Sequence, residues 1–273
     1  MTDEIVTGEI APSREELDRP SLLARAFEPL TRLLFTEVGL RPGMRVLDVC
    51  SGSGDVALVA REFVGPKGHV MGFDRSSATV AYANERAAFR DLSNVYFVEA
   101  EIERLPFGRD FDAIVGRTVL MYRRDPVQDL RALLACLKPR GLVVFQELDL
   151  FTGRTDPPAD VVDEVRAWLL DFFSRAGLEL DMGSKLYASF KAAGLNVPQL
   201  RVDGFIGGAE SICPGLLASV ARLLLPQAEA MGTVRAEEVE IDTLEERMRA
   251  NLISTGGIMS TALLIGAWAR MPD

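Results

Sequence analysis

The chain has 273 residues, 48% of them hydrophobic, and carries 40 acidic against 30 basic side chains for a formal net charge of −10. A chain of this size buries a full α/β core, while its acidic balance argues against nucleic acid or an anionic membrane surface as a partner. The single histidine, His69, and three scattered cysteines, Cys50, Cys136 and Cys213, weigh against a zinc site or a Ser-His-Asp triad. Thiols without a C-x-x-C pair suit a reducing cytoplasm.

The start, Met1-Thr2-Asp3-Glu4, lacks a basic segment followed by an apolar run, so no secretory signal is expected and the protein is expected to be cytoplasmic. Residues up to about Ser13 read as flexible. Leu22, Leu23, Ala26, Phe27, Leu30, Leu33 and Leu34 then recur at helical spacing to about Val38, with Pro29 expected to kink or split the helix. Strand and helix alternate from there: strand 44–50, helix 54–63, strand 69–74, helix 76–90, strand 95–101, strand 111–117, helix 126–137 and strand 141–148. Such alternation implies a parallel sheet with right-handed crossovers. Asp125-Pro126 gives a capped helix start.

Beyond Asp149 the pattern turns helical. Val161, Val162, Val165, Trp168, Leu169, Phe172 and Phe173 form one stripe, and residues 182–193 form a further helix ended by Gly194. A sixth strand is expected at Val202–Ile206 and a seventh at Ile258–Ala269, a run too short to span a bilayer. Between them lie helices at about 214–230 and 242–254, the second opened by an Asp242-x-x-Glu245 near-capping box. The apolar stripe of that insertion, Leu216 to Met248, fits either a lid or plain core, and leaves a homodimer open.

The segment Val46-Leu47-Asp48-Val49-Cys50-Ser51-Gly52-Ser53-Gly54-Asp55 runs an apolar strand into a tight turn and a helix start, the local chemistry of a ligand cradle. Gly52, Gly54 and Ala57 also fit a dinucleotide fingerprint with Asp74 as its ribose acid, so a nicotinamide-dependent oxidoreductase is one reading. Asp48, at the strand end, opposes a diphosphate by like charge and welcomes an ammonium or sulfonium cation.

With Val70-Met71-Gly72-Phe73-Asp74, Phe97 to Phe107, Phe111 to Gly116 and Leu137 to Phe145 in order behind it, this segment resembles the class I S-adenosylmethionine-dependent methyltransferases, especially the ubiquinone/menaquinone-biosynthesis group. The resemblance covers most of the chain. It implies a Rossmann-like α/β fold: a mostly parallel seven-stranded sheet flanked by helices, with N-terminal helices and a C-terminal helical insertion forming a cap. The expected organisation is one domain, 1–273, with an N-terminal cover at 1–40, a cofactor-binding core at 41–150 and a C-terminal part at 151–273 holding an insertion at about 209–256.

By that resemblance Asp48 and the Gly52/Gly54 backbone surround the methionine part of S-adenosylmethionine, Asp74 holds the ribose, and Glu101 with Ile102 surrounds adenine. Cys50, Arg75 and Arg117 are counted with them as cofactor contacts. Cys50 stands where a glycine is usual, so it either avoids positive φ or absorbs strain; Arg140 likewise replaces a turn glycine. Without a well-placed histidine, Glu147 is the expected general base, with Tyr122 and Arg117 orienting the acceptor. The expected acceptor is a small, apolar metabolite; no metal is expected. A cyclisation on the same fold, using the cofactor without methyl transfer, is an alternative, as is a non-enzymatic scaffold.

Overall fold

The computed structural model describes residues 22–272; the flexible leader expected before Ser13 lies outside the described residues. In chain order the elements are α1 Leu22–Val38, β1 Arg45–Val49, α2 Asp55–Val64, β2 His69–Asp74, α3 Ser77–Phe89, β3 Val95–Glu99, β4 Phe111–Arg117, α4 Pro126–Leu134 and β5 Leu137–Asp149. There follow β6 Arg154–Asp156, α5 Asp160–Arg175, α6 Met182–Ala193, β7 Gln199–Asp203, β8 Ile206–Gly207, α7 Cys213–Ala230, α8 Ala236–Val239, α9 Leu244–Thr255, β9 Ile258–Ser260 and β10 Leu263–Arg270. They divide into two compact units. Of the described residues, one takes in 22–147, Ser184–Arg201 and 265–272; the other takes in Leu148–Gly183 and Val202–Leu264.

The first unit carries the seven-stranded sheet, in the order β3-β2-β1-β4-β5-β10-β7. Neighbours from β3 through β5 pair parallel. β1 is buried at every residue after Arg45, as a central strand covered on both faces must be. Val46, Val70, Val115 and Val144 project into one core with Val56, Ala60 and Val64 of α2 and Leu34, Phe35 and Val38 of α1. Helix starts follow local chemistry: the Ser76 side chain accepts from Thr79 N, and Asp125 accepts from Gln128 N with Pro126 in the first turn. The second unit has its own core, in which Val162, Val165, Leu169 and Phe172 of α5 meet Leu224 and Leu225 of α7 and Met248 and Leu252 of α9. A three-stranded antiparallel sheet, β6-β9-β8, belongs to it.

Four expectations change. Pro29 does not split α1, which is one helix of 17 residues; the lost N–H bond is outweighed by a buried face of Ala26, Thr31, Leu34, Phe35 and Val38. The sixth strand lies earlier, at Gln199–Asp203, and Ile206 belongs to the small sheet. The apolar run from Ile258 divides at Thr261 into β9 and β10, a break that apolar content alone does not reveal. Asp242 and Glu245 form no capping box: Thr243 is the N-cap, and Asp242 pairs with Arg222 at 2.8 Å. Of the insertion stripe, Leu216, Leu224 and Met248 are core, Leu217, Val220 and Met231 pack against it, and only Leu223 stands out in solvent.

Gly72 is the tightest point of the sheet, because a Cβ there would sit 2.3 Å from Phe97 Cδ1 and 2.8 Å from Ser51 Oγ. Gly72→Ala is expected to lower stability by about 1–3 kcal/mol through overpacking. The change is read as a fall in the denaturant midpoint; an unchanged midpoint would show that Phe97 yields freely.

Candidate active site

Parallel register brings several of the candidate side chains to one edge. Asp48 lies opposite Gly72, Asp74 opposite Glu99, and Arg117 opposite Gln146. Asp48 is 1% exposed, and its Oδ2 accepts from Ala57 N at 3.0 Å in the first turn of α2. Burial pushes its carboxyl up to about 8, against the opposing pull of the Arg117 charge and the Ala57 bond. The turn that follows closes with Gly54 N donating to Ser51 O at 2.8 Å, and Cys50, Gly52 and Gly54 all take positive φ, at 47, 51 and 82°. Cys50 therefore absorbs the strain, about 1–2 kcal/mol for a residue with a Cβ, and burial pushes its thiol up to about 12. At Gly54 a Cβ would meet Phe97 Cζ at 2.5 Å. Ser51 Oγ is buried without a partner among the described residues.

Asp74 closes the other side. Its carboxylate accepts from Gly52 N and from Ser76 N, both at 3.1 Å. Helix α3 is capped by Ser76, so Asp74 is released from that duty. The Gly52 amide that a diphosphate would need is engaged by a carboxylate. Arg75 and Glu101 are exposed, while Ile102 is buried and opens a 3₁₀ turn, Ile102–Arg104. Arg123 braces that turn: it pairs with Glu103, and its Nε donates to Asp129 Oδ2 of α4 at 2.7 Å.

Glu147 is wholly buried, and both its oxygens are engaged. Oε1 accepts from Val119 N and Leu120 N at 2.9 and 2.8 Å, and Oε2 from Met121 N at 3.3 Å. Burial raises its carboxyl to about 7 against those three bonds. A general base needs an oxygen open to the substrate proton, and here the carboxylate instead pins the segment that leads into Tyr122. The Tyr122 hydroxyl is pushed up to about 12 by burial and by Glu147.

Arg117 is half-buried, its pKa lowered by burial. Its Nη1 donates to Thr31 Oγ1 at 3.0 Å, its guanidinium lies 5.7 Å from the Phe27 ring centre, and Thr31 in turn donates to Gln146 Oε1 at 2.7 Å. This relay ties α1 to the ends of β4 and β5. Sequence reasoning missed Thr31 and Gln146, since polar residues on an apolar stripe carry no pattern. It also missed Thr118, β-branched yet at φ 53° beside Arg117, and Arg86, which is 3% exposed, pairs with Asp55 at 2.9 Å and donates to Ser53 O inside the glycine turn. Among the described residues no group of acids, cysteines and histidine is placed to hold a metal ion, and no helix is long and apolar enough to cross a membrane.

Residues 40–194 match the family model described as methyltransferase domain. The ubiquinone/menaquinone biosynthesis C-methyltransferase UbiE of Vibrio vulnificus is 36% identical over 136 residues, 48% of this chain and 51% of that protein. The 2-phytyl-1,4-naphtoquinone methyltransferase of Synechococcus elongatus is 42% identical over 103 residues, 36% of this chain and 43% of that protein. The chain thus spans about half the length of the curated relatives it matches. Among solved structures, the YcgJ protein of Bacillus subtilis superposes with a TM-score of 0.59 at 21% identity, covering 89% of this chain and 98% of that one, which is a likeness of fold.

The raised carboxyl of Asp48 has a consequence for stability. Between its unfolded value near 4 and its folded value of about 8 the native state holds a proton the unfolded chain has lost, so its contribution is complete below about pH 4 and drains away as pH rises through 8. Asp48→Asn keeps an acceptor for Ala57 N and removes the titration. Without ligand, the variant is expected to gain on the wild type between pH 5 and pH 8, by up to about 1.4 kcal/mol per pH unit. Denaturant melts across that range check it; parallel stability curves would contradict it.

Proposed function

The chain belongs to the methyltransferase domain family, and from that premise we propose that it transfers the methyl group of S-adenosylmethionine to a small, largely apolar acceptor of the quinone class. The observation that carries this reading is a buried carboxyl group, Asp48, set behind a turn in which Gly52 and Gly54 take positive φ, with a second carboxylate, Asp74, at the next strand end. These residues fit a cofactor with a cationic and a ribosyl end. The acceptor class is supported by what the two curated relatives are named for, a ubiquinone/menaquinone and a naphtoquinone methyltransferase.

When bound, S-adenosylmethionine supplies a methyl group already activated on a cationic sulfur. The chain's own residues then have to hold, align and dry the site. Asp48, made anionic by the approach of a cation, would face the methionine end along with the backbone of Cys50, Gly52 and Gly54. Asp74 would exchange its Gly52 and Ser76 bonds for the ribose hydroxyls, each charge-assisted bond contributing about 1.5–3 kcal/mol. Glu101, Ile102 and Arg75 would border the adenine. Alignment supplies the larger part of the acceleration, roughly 7–11 kcal/mol for a well-held pair. In this reading Glu147 is a positioning residue instead of the general base, since its oxygens fix 119–121 and thereby Tyr122. Tyr122 and Arg117 orient the acceptor. We assign the protein to the cytoplasm, where its three free thiols remain reduced.

Calorimetry should register S-adenosylmethionine and S-adenosylhomocysteine but not NAD, and a demethylated quinol should yield S-adenosylhomocysteine. Asp74→Ala should weaken the cofactor by about 10- to 100-fold; equal affinity would remove Asp74 from the site. Glu147→Gln sets an amide N–H against Met121 N–H. It should lower kcat at least about tenfold with the cofactor Kd little changed, and the pH profile should keep its shape. Loss of the alkaline plateau alone would restore Glu147 as the base.

A further inference from the structure

In the first unit a cavity of about 450 Å³ opens among α1, α2 and α3, and five arginines line it: Arg32, Arg61, Arg86, Arg90 and Arg117. The acids on its wall are Glu28, Asp55 and Glu62, which leaves a surplus of two positive charges in a protein whose net charge is −10. Those acids are already committed. Arg32 takes both glutamates, its Nε donating to Glu28 at 2.9 Å and its two Nη atoms to Glu62 at 2.7 and 2.6 Å. Arg86 takes Asp55. Arg61 donates to Asn94 Oδ1 at 3.3 Å and Arg117 to the Thr31 hydroxyl, and neither they nor Arg90 has a carboxylate at ion-pair distance among the described residues.

Two guanidinium nitrogens of these arginines, Arg86 Nε and Arg90 Nη1, are shut off from solvent behind the cavity surface and have no acceptor among the described residues. Arg86 is 3% exposed. A buried cationic donor left without an acceptor is costly, and like charges gathered in a shared hollow repel one another where water screens them least. Apolar Leu58, Val59 and Leu92 complete the lining.

We propose that this cavity is a binding site for a phosphate-type dianion, either free phosphate or the phosphate of a phosphomonoester. The surplus of two charges matches a dianion, and the planar fork of a guanidinium matches phosphate oxygens with paired, charge-assisted bonds. Ala24 and Glu28 of α1, Asp55 and Glu62 of α2, and Arg86 of α3 with Arg90 just past its end give the site three walls fixed by the core beneath them. The cavity shares Arg117 with the proposed acceptor site, whereas Asp74, Gly52 and Glu101 are not among its lining residues.

The test uses the full chain, with inorganic phosphate, glycerol phosphate and acetate titrated at constant ionic strength and read by thermal melting and calorimetry. Phosphate should give a saturable rise in melting temperature that acetate does not. A matching rise with glycerol phosphate assigns the site to phosphomonoesters, and a rise with inorganic phosphate alone assigns it to the free ion. The double variant Arg61→Met with Arg90→Met should weaken phosphate at least about tenfold, while its melting temperature without phosphate stays at or above the wild-type value because repulsion is relieved. Saturating S-adenosylhomocysteine should leave the phosphate response in place. An equal response to acetate, an undiminished response in the double variant, or abolition by S-adenosylhomocysteine would overturn the proposal.

Discussion

A carboxylate removed from water at the end of a parallel strand is the constraint on which the candidate site depends. Asp48 is 1% exposed, and its Oδ2 accepts a hydrogen bond from the first turn of α2. An isolated buried anion is unfavourable, so the ligand-free protein keeps this group protonated well above the usual carboxylate range. A positive ligand reverses that preference, because opposite charge restores the ionised form. In the proposed reading the site therefore holds a latent charge that appears when a cation arrives.

The surrounding structure serves to keep that arrangement in place. Parallel register sets Asp48, Asp74 and Arg117 at one edge without any of them being near the others in sequence. The turn between β1 and α2 passes so close to Phe97 that no side chain fits at Gly54, and it tolerates Cys50 at positive φ only because the flanking strand and helix fix both its ends. Glu147 performs the same service for the segment after β4, trading its own exposure for three main-chain bonds. Arg123 does so for the turn at Ile102. Buried carboxylates here hold main-chain amides in place.

Much of this was readable in the chain. The apolar run from Val46 to Val49 followed by two glycines and Asp55 specifies a strand, a turn and a helix by sterics alone, and Asp125-Pro126 specifies the start of α4. Asp74 stands out because a charge ending an apolar strand needs a reason. Contacts made at long range were not readable. Nothing near Glu147 announces that its partners are the amides of Val119 to Met121, and Thr31 meets Gln146 across 115 positions. The small sheet of the second unit escaped for a related reason: β8 and β9 are two and three residues long and pair only once the fold brings them together. The run from Ile258 read as one strand because apolar content does not report which sheet a residue joins.

The central claim is that a cationic ligand drives the ionisation of Asp48. Calorimetric titration of S-adenosylmethionine near pH 7 in buffers of different ionisation enthalpy measures it directly. The account predicts release of close to one proton per ligand bound, a release that diminishes above about pH 8 and is absent in Asp48→Asn. Binding without proton release, or the same release in the variant, would contradict it.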